Sequence, residues 1–249
     1  MSAWHEGDSA TFRTIATVAV PRRAEMLQAL VDAVPFAAAD RFAIVELGSG
    51  DGTLAAALLD AFPSATCMAL DGSESMRAAA AERTARFGDR MRIREFGLDR
   101  LDWWDVMFGA GLVVSSLSLH HLSDAKKQYL YKAAADRMSS SGAFLVADIV
   151  EPSHEAARRL AADAWDRSAR EAAEAQGQPE LFDRFVEAKW NSHRFRDADE
   201  HPAALLHHLM WLKHAGFQAV DCTWLFAGHA VFGGFRPAGA SAPPLRAGS

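Results

Sequence analysis

The stretch IVELGSGDGT, residues 44–53, decides how this chain is read. A short apolar run feeds directly into Gly48, Gly50 and Gly52, a pattern that lets a strand turn sharply into a helix and brings backbone N–H groups close to a ligand. A dinucleotide-binding loop of the form G-x-G-x-x-G would need a third glycine where Thr53 stands. The surrounding acids say more than the glycines. Glu46 ends the first strand, Asp51 sits inside the loop, Asp71 ends the next apolar run, and Asp99 follows a third. Taken singly, Asp51 is a helix-cap residue and Asp99 a turn acid. Taken together, they set several negative charges where a pyrophosphate would have to sit, a repulsion of several kcal/mol at short range and intermediate dielectric. A nucleoside that carries cations and no phosphate suits this loop better. Asp71 is spaced to meet ribose hydroxyls.

Outward from the loop, short β-branched runs alternate with longer amphipathic stretches. Strands are expected at Phe42–Glu46, Thr66–Leu70, Met91–Glu95, Leu112–Ser115, Ala143–Ala147, Ala219–Leu225 and Ala230–Gly234. Helices are expected at Leu54–Ala61, Ser75–Phe87, Lys126–Met138 and Pro202–Ala215. Such alternation implies a parallel sheet with helices on both faces. The last two strands are too close for a crossover and should form an antiparallel hairpin. Residues 1–40 form an aromatic-bearing arm and a helix opened by Pro21. Residues 152–200 form an Ala-rich helical insertion, and 237–249 a disordered Pro/Gly/Ala/Ser-rich tail.

The 249 residues, half of them hydrophobic, suffice for one large α/β core. The net charge of −6 gives no general attraction for nucleic acid or anionic membrane. Cys67 and Cys222 show no metal or redox spacing, which fits a reducing compartment. With no signal-like N-terminus and no membrane-length apolar run, a cytoplasmic location is expected.

Three segments carry a family resemblance. VELGSGDGTLAAALLDAFPSATCMALDGSESM (45–76) resembles the first two motifs of class I S-adenosylmethionine-dependent methyltransferases. VVSSLSLHHLSDAKKQYLYKAAADRMSSSGAFLVAD (113–148) resembles their later motifs, with SSSGA where the family usually has a proline and paired glycines. LKHAGFQAVDCTWLFAGHAVFGGFRP (212–237) is similar to their final helix and hairpin. The resemblance covers roughly residues 42–150 and 202–236. It implies an α/β, Rossmann-like, seven-stranded and mostly parallel sheet with an antiparallel C-terminal hairpin strand and a helical cap. The corresponding organisation is a cap at 1–40, a methyltransferase domain at 41–236 with its insertion at 152–200, and the tail.

The resemblance also implies roles. Gly48, Ser49 and Gly50 would meet the methionine part of S-adenosyl-L-methionine, with Glu46 near its amino group. Asp71 would hold the ribose, with Gly72 and Met76 beside the adenine. Leu98 and Asp99 would meet the adenine edge, and Ser116 and Leu117 would floor the reacting centre. Methyl transfer from a sulfonium needs alignment, exclusion of water and, for O or N acceptors, proton removal. Trp4, His5, Phe12, Trp165, Trp190 and His193 are the candidate acceptor-pocket residues. His120 and His121, past the fourth strand, are the candidate bases, or else pack and cap the next helix. Asp148 and Glu151 either contact substrate or cap a turn.

No His pair stands at i, i+4 and no acid ends the fourth strand, so no metal is expected. The basic run RTARFGDRMRIRE (83–95) is interrupted by acids and reads as a solvated face. A small-molecule acceptor is therefore expected, without nucleic acid or membrane. The alternatives are a tRNA wobble-uridine modifying enzyme of the same fold and a non-catalytic S-adenosylmethionine-binding protein.

Overall fold

The computed structural model describes residues 6–98, 100, 103–197 and 199–236. Trp4, His5, Asp99 and the 237–249 tail lie outside the described residues. Strands β1 (Ala43–Leu47), β2 (Thr66–Asp71), β3 (Met91–Glu95), β4 (Leu112–Ser116), β5 (Ala143–Ile149), β6 (Gln218–Phe226) and β7 (His229–Phe235) form one sheet. Its order is β3-β2-β1-β4-β5-β7-β6, with β1 to β5 parallel and β7 antiparallel to both of its neighbours. The chain builds outward from β1 in one direction, then returns to build from β4 in the other. The carboxyl ends of β1 and β4 therefore flank the crevice in which open α/β sheets bind ligands.

Helices α1 (Glu6–Ile15), α2 (Arg23–Asp32), α3 (Thr53–Ala61), α4 (Glu74–Thr84), α5 (Asp124–Arg137), α6 (Glu155–Ala175), α7 (Glu180–Glu187) and α8 (Leu205–Ala215) cover the sheet. Period-2 alternation sorts the strand residues between two cores. Ile44, Ala143, Leu145 and Ala147 pack with Met26, Leu30, Leu58 and Trp165 on one face. Val45, Leu47, Phe144 and Val146 pack with Trp103, Tyr131 and Leu212 on the other. In β1 this alternation puts Glu46 on the Ile44 face, and in β5 it puts Asp148 on the Phe144 face.

Local chemistry fixes the element ends. The Ser73 hydroxyl caps α4 by accepting from Met76 N–H at 3.2 Å. Gly216, at φ +104°, closes α8 in the left-handed conformation. Helix α6 buries Ala162, Trp165, Ala169 and Ala173 at helical spacing. The β6–β7 hairpin turns through Ala227 (φ +49°) and Gly228 (φ +73°), the two positive angles a tight hairpin turn requires.

Some expectations shift. The N-terminal arm is helical as α1. The helix expected to run to Phe87 stops at Thr84 and passes into a 3-10 turn, Ala85–Arg90, broken by Gly88 at φ +54°. The helix expected from Pro202 begins at Leu205, because Ala204 is extended. The basic run is not a plain solvated face. Arg83 pairs with Asp51, Arg86 with Asp60, and Arg90 reaches the carbonyls of Leu59, Phe62 and Ala65.

Candidate active site

The loop after β1 is pinned by β2. Gly48 and Ser49 both donate their N–H to the Leu70 carbonyl at 2.9 Å, and Gly50 N–H donates to Asp71 Oδ2 at 2.7 Å. Asp71 Oδ1 accepts from Ser73 N–H at 2.9 Å, so one carboxylate ties the loop to the start of α4. Gly48 is at φ +68°, and a Cβ there would lie 2.2 Å from Ser118 Oγ. Only glycine lets the β1 and β4 loops approach this closely.

Glu46 is buried at 1% exposure, and its Oε2 has no hydrogen-bond partner. Burial, followed by the nearby Asp71 and Asp51 charges, pushes its carboxyl well above the usual range. Such a group is stabilised by a cation arriving from the cavity. Ser49 Oγ is likewise buried without a partner. The Asp51 charge is compensated, contrary to the simple count of acids in the sequence. Its carboxylate accepts from Thr53 Oγ1 and Arg83 at 2.7 Å and lies 3.7 Å from Arg23. Burial works to raise its pKa, but the Thr53 hydrogen bond and the two arginines hold it low. Glu46, whose Oε2 lacks a hydrogen bond while Ala55 N–H and Arg23 only partly offset its burial, is therefore less well compensated than Asp51.

These groups line a cavity of about 1000 Å³. Glu46, Gly48, Ser49, Gly50, Asp71, Gly72, Met76, Leu98, Ser116 and Leu117 are all on its wall, as are Phe12, Trp165, Trp190, His120 and His121. This volume lies at the upper end of ligand pockets, enough for a nucleoside cofactor and a second small molecule. Leu117 stands at φ +54°, a strained angle for leucine, at the floor of the crevice. His193 is the exception among the candidates. It is not on the cavity wall. It is buried against Gly228, Trp165 and His229, and burial lowers its pKa to about 4. A buried neutral histidine in that position packs the hairpin turn rather than facing acceptor.

The two candidate bases have different surroundings. His120 is 5% exposed, and its Nδ1 lies 2.6 Å from Asp148 Oδ1. Its backbone N–H donates to Asp148 Oδ2 at 3.0 Å. Asp148 thus holds both the ring and the main chain of His120. Glu200 Oε1 stands 3.9 Å from His120 Nε2, beyond hydrogen-bond reach. Burial disfavours the charged imidazole, but the charge and hydrogen bond of Asp148 outweigh it, aided by Glu200, and the His120 pKa is raised. For Asp148 burial acts upward, yet His120 and the Ile149 N–H hold the carboxyl low. For Glu200, burial raises the pKa. The His121 ring lies 4.1 Å from the His120 ring, tilted by 49°, and burial together with that neighbour drives its pKa down to about 3.

Asp148 was visible in the sequence as a turn acid, and its end-of-strand position was the available signal. Glu200 had no such signal, since it lies at the end of the helical insertion and reaches His120 only through the fold.

Residues 45–145 match the family described as "Methyltransferase domain". The fold is shared with solved structures. An O-methyltransferase family protein from Burkholderia thailandensis is 18% identical with a TM-score of 0.63, over 87% of this chain and 56% of that one. An O-methyltransferase family 2 protein from Planctomyces limnophilus, in complex with apigenin, is 16% identical with a TM-score of 0.60, over 94% and 62%. Human N-acetylserotonin methyltransferase, in complex with SAM, is 16% identical with a TM-score of 0.55, over 85% and 51%. No curated protein sequence gives a significant match. The chain spans between 51% and 62% of the length of these three structures. Sheet order, switch-point crevice and matched core together define the class I S-adenosylmethionine-dependent methyltransferase fold. The matched residues run from β1 into β5. Among the described residues, no helix is long and apolar enough to cross a membrane.

Proposed function

We propose that the protein transfers a methyl group from S-adenosylmethionine to a hydroxyl of a small acceptor, with His120 as general base and Asp148 as its positioning partner. The observation that carries this reading is the buried His120–Asp148 pair, whose histidine stands on the wall of the same cavity as the glycine loop.

The residues present fit the cofactor. The partnerless Oε2 of Glu46 suits an ammonium, the Gly48–Gly50 backbone admits close approach, and the Asp71 carboxylate, held by Gly50 and Ser73 N–H on the same wall, suits ribose hydroxyls. Gly72, Met76 and Leu98 supply the adenine wall, with Ser116 and Leu117 beneath the reacting centre. Bound S-adenosylmethionine supplies a methyl already activated by a sulfonium, so the remaining chemistry is alignment, exclusion of water and removal of one proton.

Because Asp148 Oδ1 accepts from Nδ1–H, the neutral imidazole carries its lone pair on Nε2. That nitrogen would take the proton of an acceptor hydroxyl whose oxygen receives the methyl group, with S-adenosylhomocysteine as the leaving group. The imidazolium so formed is stabilised by Asp148 and by Glu200. His121, held neutral, shapes the wall beside it. Phe12, Trp165 and Trp190 provide an aromatic surface for a planar or apolar acceptor, and Phe12 and Trp190 lie 5.9 Å apart. The structures solved with apigenin and of an N-acetylserotonin enzyme support a hydroxylated aromatic acceptor.

The test combines calorimetry with S-adenosylhomocysteine and methyl-transfer assays on a panel of phenols. Wild-type protein should bind the nucleoside and methylate at least one phenol, and His120→Ala should lose about 10²–10⁴ in turnover. Absence of nucleoside binding would end this reading.

A further inference from the structure

One buried histidine on the cavity wall has no part in the proton transfer. His229 opens β7 and is 0% exposed. It stands opposite Ile149 in the β5–β7 ladder and packs edge-on against Trp165, with ring centroids 4.4 Å apart. All three residues line the cavity that also holds the glycine loop and His120. The His229 Nδ1 lies 3.1 Å from the Ala227 carbonyl. A carbonyl oxygen only accepts, so Nδ1 carries the ring proton. Burial keeps the ring neutral, with a pKa of about 3. Nε2 is therefore a bare lone pair. Among the described residues it has no hydrogen-bond partner. The Trp165 indole N–H is already taken by the Ala19 carbonyl at 3.0 Å, and the Ile149 side chain offers no donor.

A buried acceptor without a donor is destabilising unless a ligand or water answers it. The group that answers this one is an O–H or N–H arriving from the cavity, since an ether, a ketone or a carboxylate would set one lone pair against another. Strands β4, β5 and β7 are consecutive in the sheet. His229 therefore lies two strand spacings, about 10 Å, across from the end of β4, where the reacting centre is placed. A second polar group on the acceptor, distinct from the hydroxyl that is methylated, spans that gap. We propose that His229 Nε2 receives a second hydroxyl or N–H donor of the methyl acceptor, so that the protein selects aromatic acceptors with two donors, one for His120 and one for His229. This rests on the hydroxyl-methylating reading and narrows its substrate class. It also favours a single methylation, because a product turned end for end would present its new ether to His229.

The test uses two pairs of phenols that differ only in the second donor. They are 2,6-dihydroxynaphthalene with its monomethyl ether, and 4,4′-dihydroxybiphenyl with its monomethyl ether. In at least one pair, wild-type kcat/KM for methyl transfer should favour the diol on the order of 10- to 100-fold, the scale of leaving a buried acceptor facing an ether. The difference should lie mainly in KM, because the bond to His229 is the same in ground and transition states. His229→Phe should erase the preference, while His229→Gln, whose amide oxygen still accepts, should keep part of it. A second readout needs neither a variant nor turnover. With S-adenosylhomocysteine bound, the nitrogen-15 resonance of His229 Nε2 should move on adding a diol and stay in place with 2,6-dimethoxynaphthalene. Equal losses for both members of a pair in His229→Phe would assign the ring to packing the hairpin and overturn the proposal. So would a wild type that treats diol and ether alike, or an Nε2 resonance that both diols leave unmoved. A wild type that methylates none of the four phenols would instead overturn the hydroxyl-acceptor reading, and this inference with it.

Discussion

Replacing Asp148 by Asn tests the proton-transfer assignment more sharply than deleting the histidine. The carboxylate lies 2.6 Å from His120 Nδ1 and also accepts the His120 N–H, with 1% of Asp148 exposed. A hydrogen bond to a charged partner contributes about 1.5–3 kcal/mol, which corresponds to about one to two pK units on the histidine. Without it, burial dominates, and the His120 pKa should fall from above to below its ordinary value near 6.5. An amide at this position can also turn its NH₂ toward Nδ1, which would place the ring proton on Nε2 and remove the base. The expected loss in turnover is about 10²–10⁴, the span of general-base contributions. The acid limb of the kcat/KM profile should move to lower pH in whatever activity remains. Nitrogen-15 shifts of His120, followed by NMR through a pH titration, would report tautomer and pKa independently of any acceptor. An unshifted His120 titration and an unaltered pH profile in Asp148→Asn would refute the reasoning.

Other consequences can be measured without knowing the acceptor. Gly48→Ala should abolish nucleoside binding in calorimetry, because its Cβ would lie 2.2 Å from Ser118 Oγ. Combining it with Ser118→Gly should restore part of that binding and leave only the strain of a positive φ, of order 1–3 kcal/mol. Burial holds His121 and His229 at pKa values of about 3 and His193 and His208 at about 4. These groups take up protons only on unfolding, so stability should fall as pH drops below 6.5, by up to about 1.4 kcal/mol per histidine per unit. His120 has the opposite sign. Its raised pKa contributes stability that is full below 6.5 and lost as pH rises through the folded value, so one group opposes four. A melting temperature that stays flat between pH 7 and 5 would contradict this balance. Hydrogen exchange should slow in α1, α6 and α7 on adding S-adenosylhomocysteine if these helices form the lid over the acceptor, and equal exchange in both states would remove that role.

The strands were legible in the sequence because a parallel sheet buried on both faces leaves dense β-branched runs bounded by glycine and polar turns. Met91–Glu95 begins and ends where the pattern places it, β2, β4 and β5 begin where it places them, and no strand end is off by more than two residues. Helix α1 was not legible. EGDSATFRTI has few apolar residues, and tertiary packing holds it, through buried Ile15 and the Ser9–Ser73 hydrogen bond at 3.0 Å. Pro202 misled for a related reason. It suits a helix start, yet the extended Ala204 backbone delays α8 to Leu205, and Glu151 N–H bonds the Ala203 carbonyl instead.

The glycine loop and the proposed catalytic pair differ in the same way. The loop is contiguous, so its glycines and Glu46 could be read together from ten residues. The pair is assembled by register. Ser116 of β4 lies opposite Ala147 of β5, and Leu117 N–H bonds the Ala147 carbonyl at 2.8 Å. Those contacts bring the turn after β4 against the residue that follows Ala147, which is Asp148. With β4 and β5 neighbours, a histidine shortly past one strand and an acid near the end of the next must meet if they share a face. Alternation along β5 puts Asp148 on the Phe144 and Val146 face. On the Ala147 and Ile149 face, the same acid would point toward the α2 side and leave His120 unpaired. The proposed proton transfer therefore depends on the parity of one strand, and a single-residue shift of β5 would unpair His120 from Asp148 while leaving the glycine loop intact.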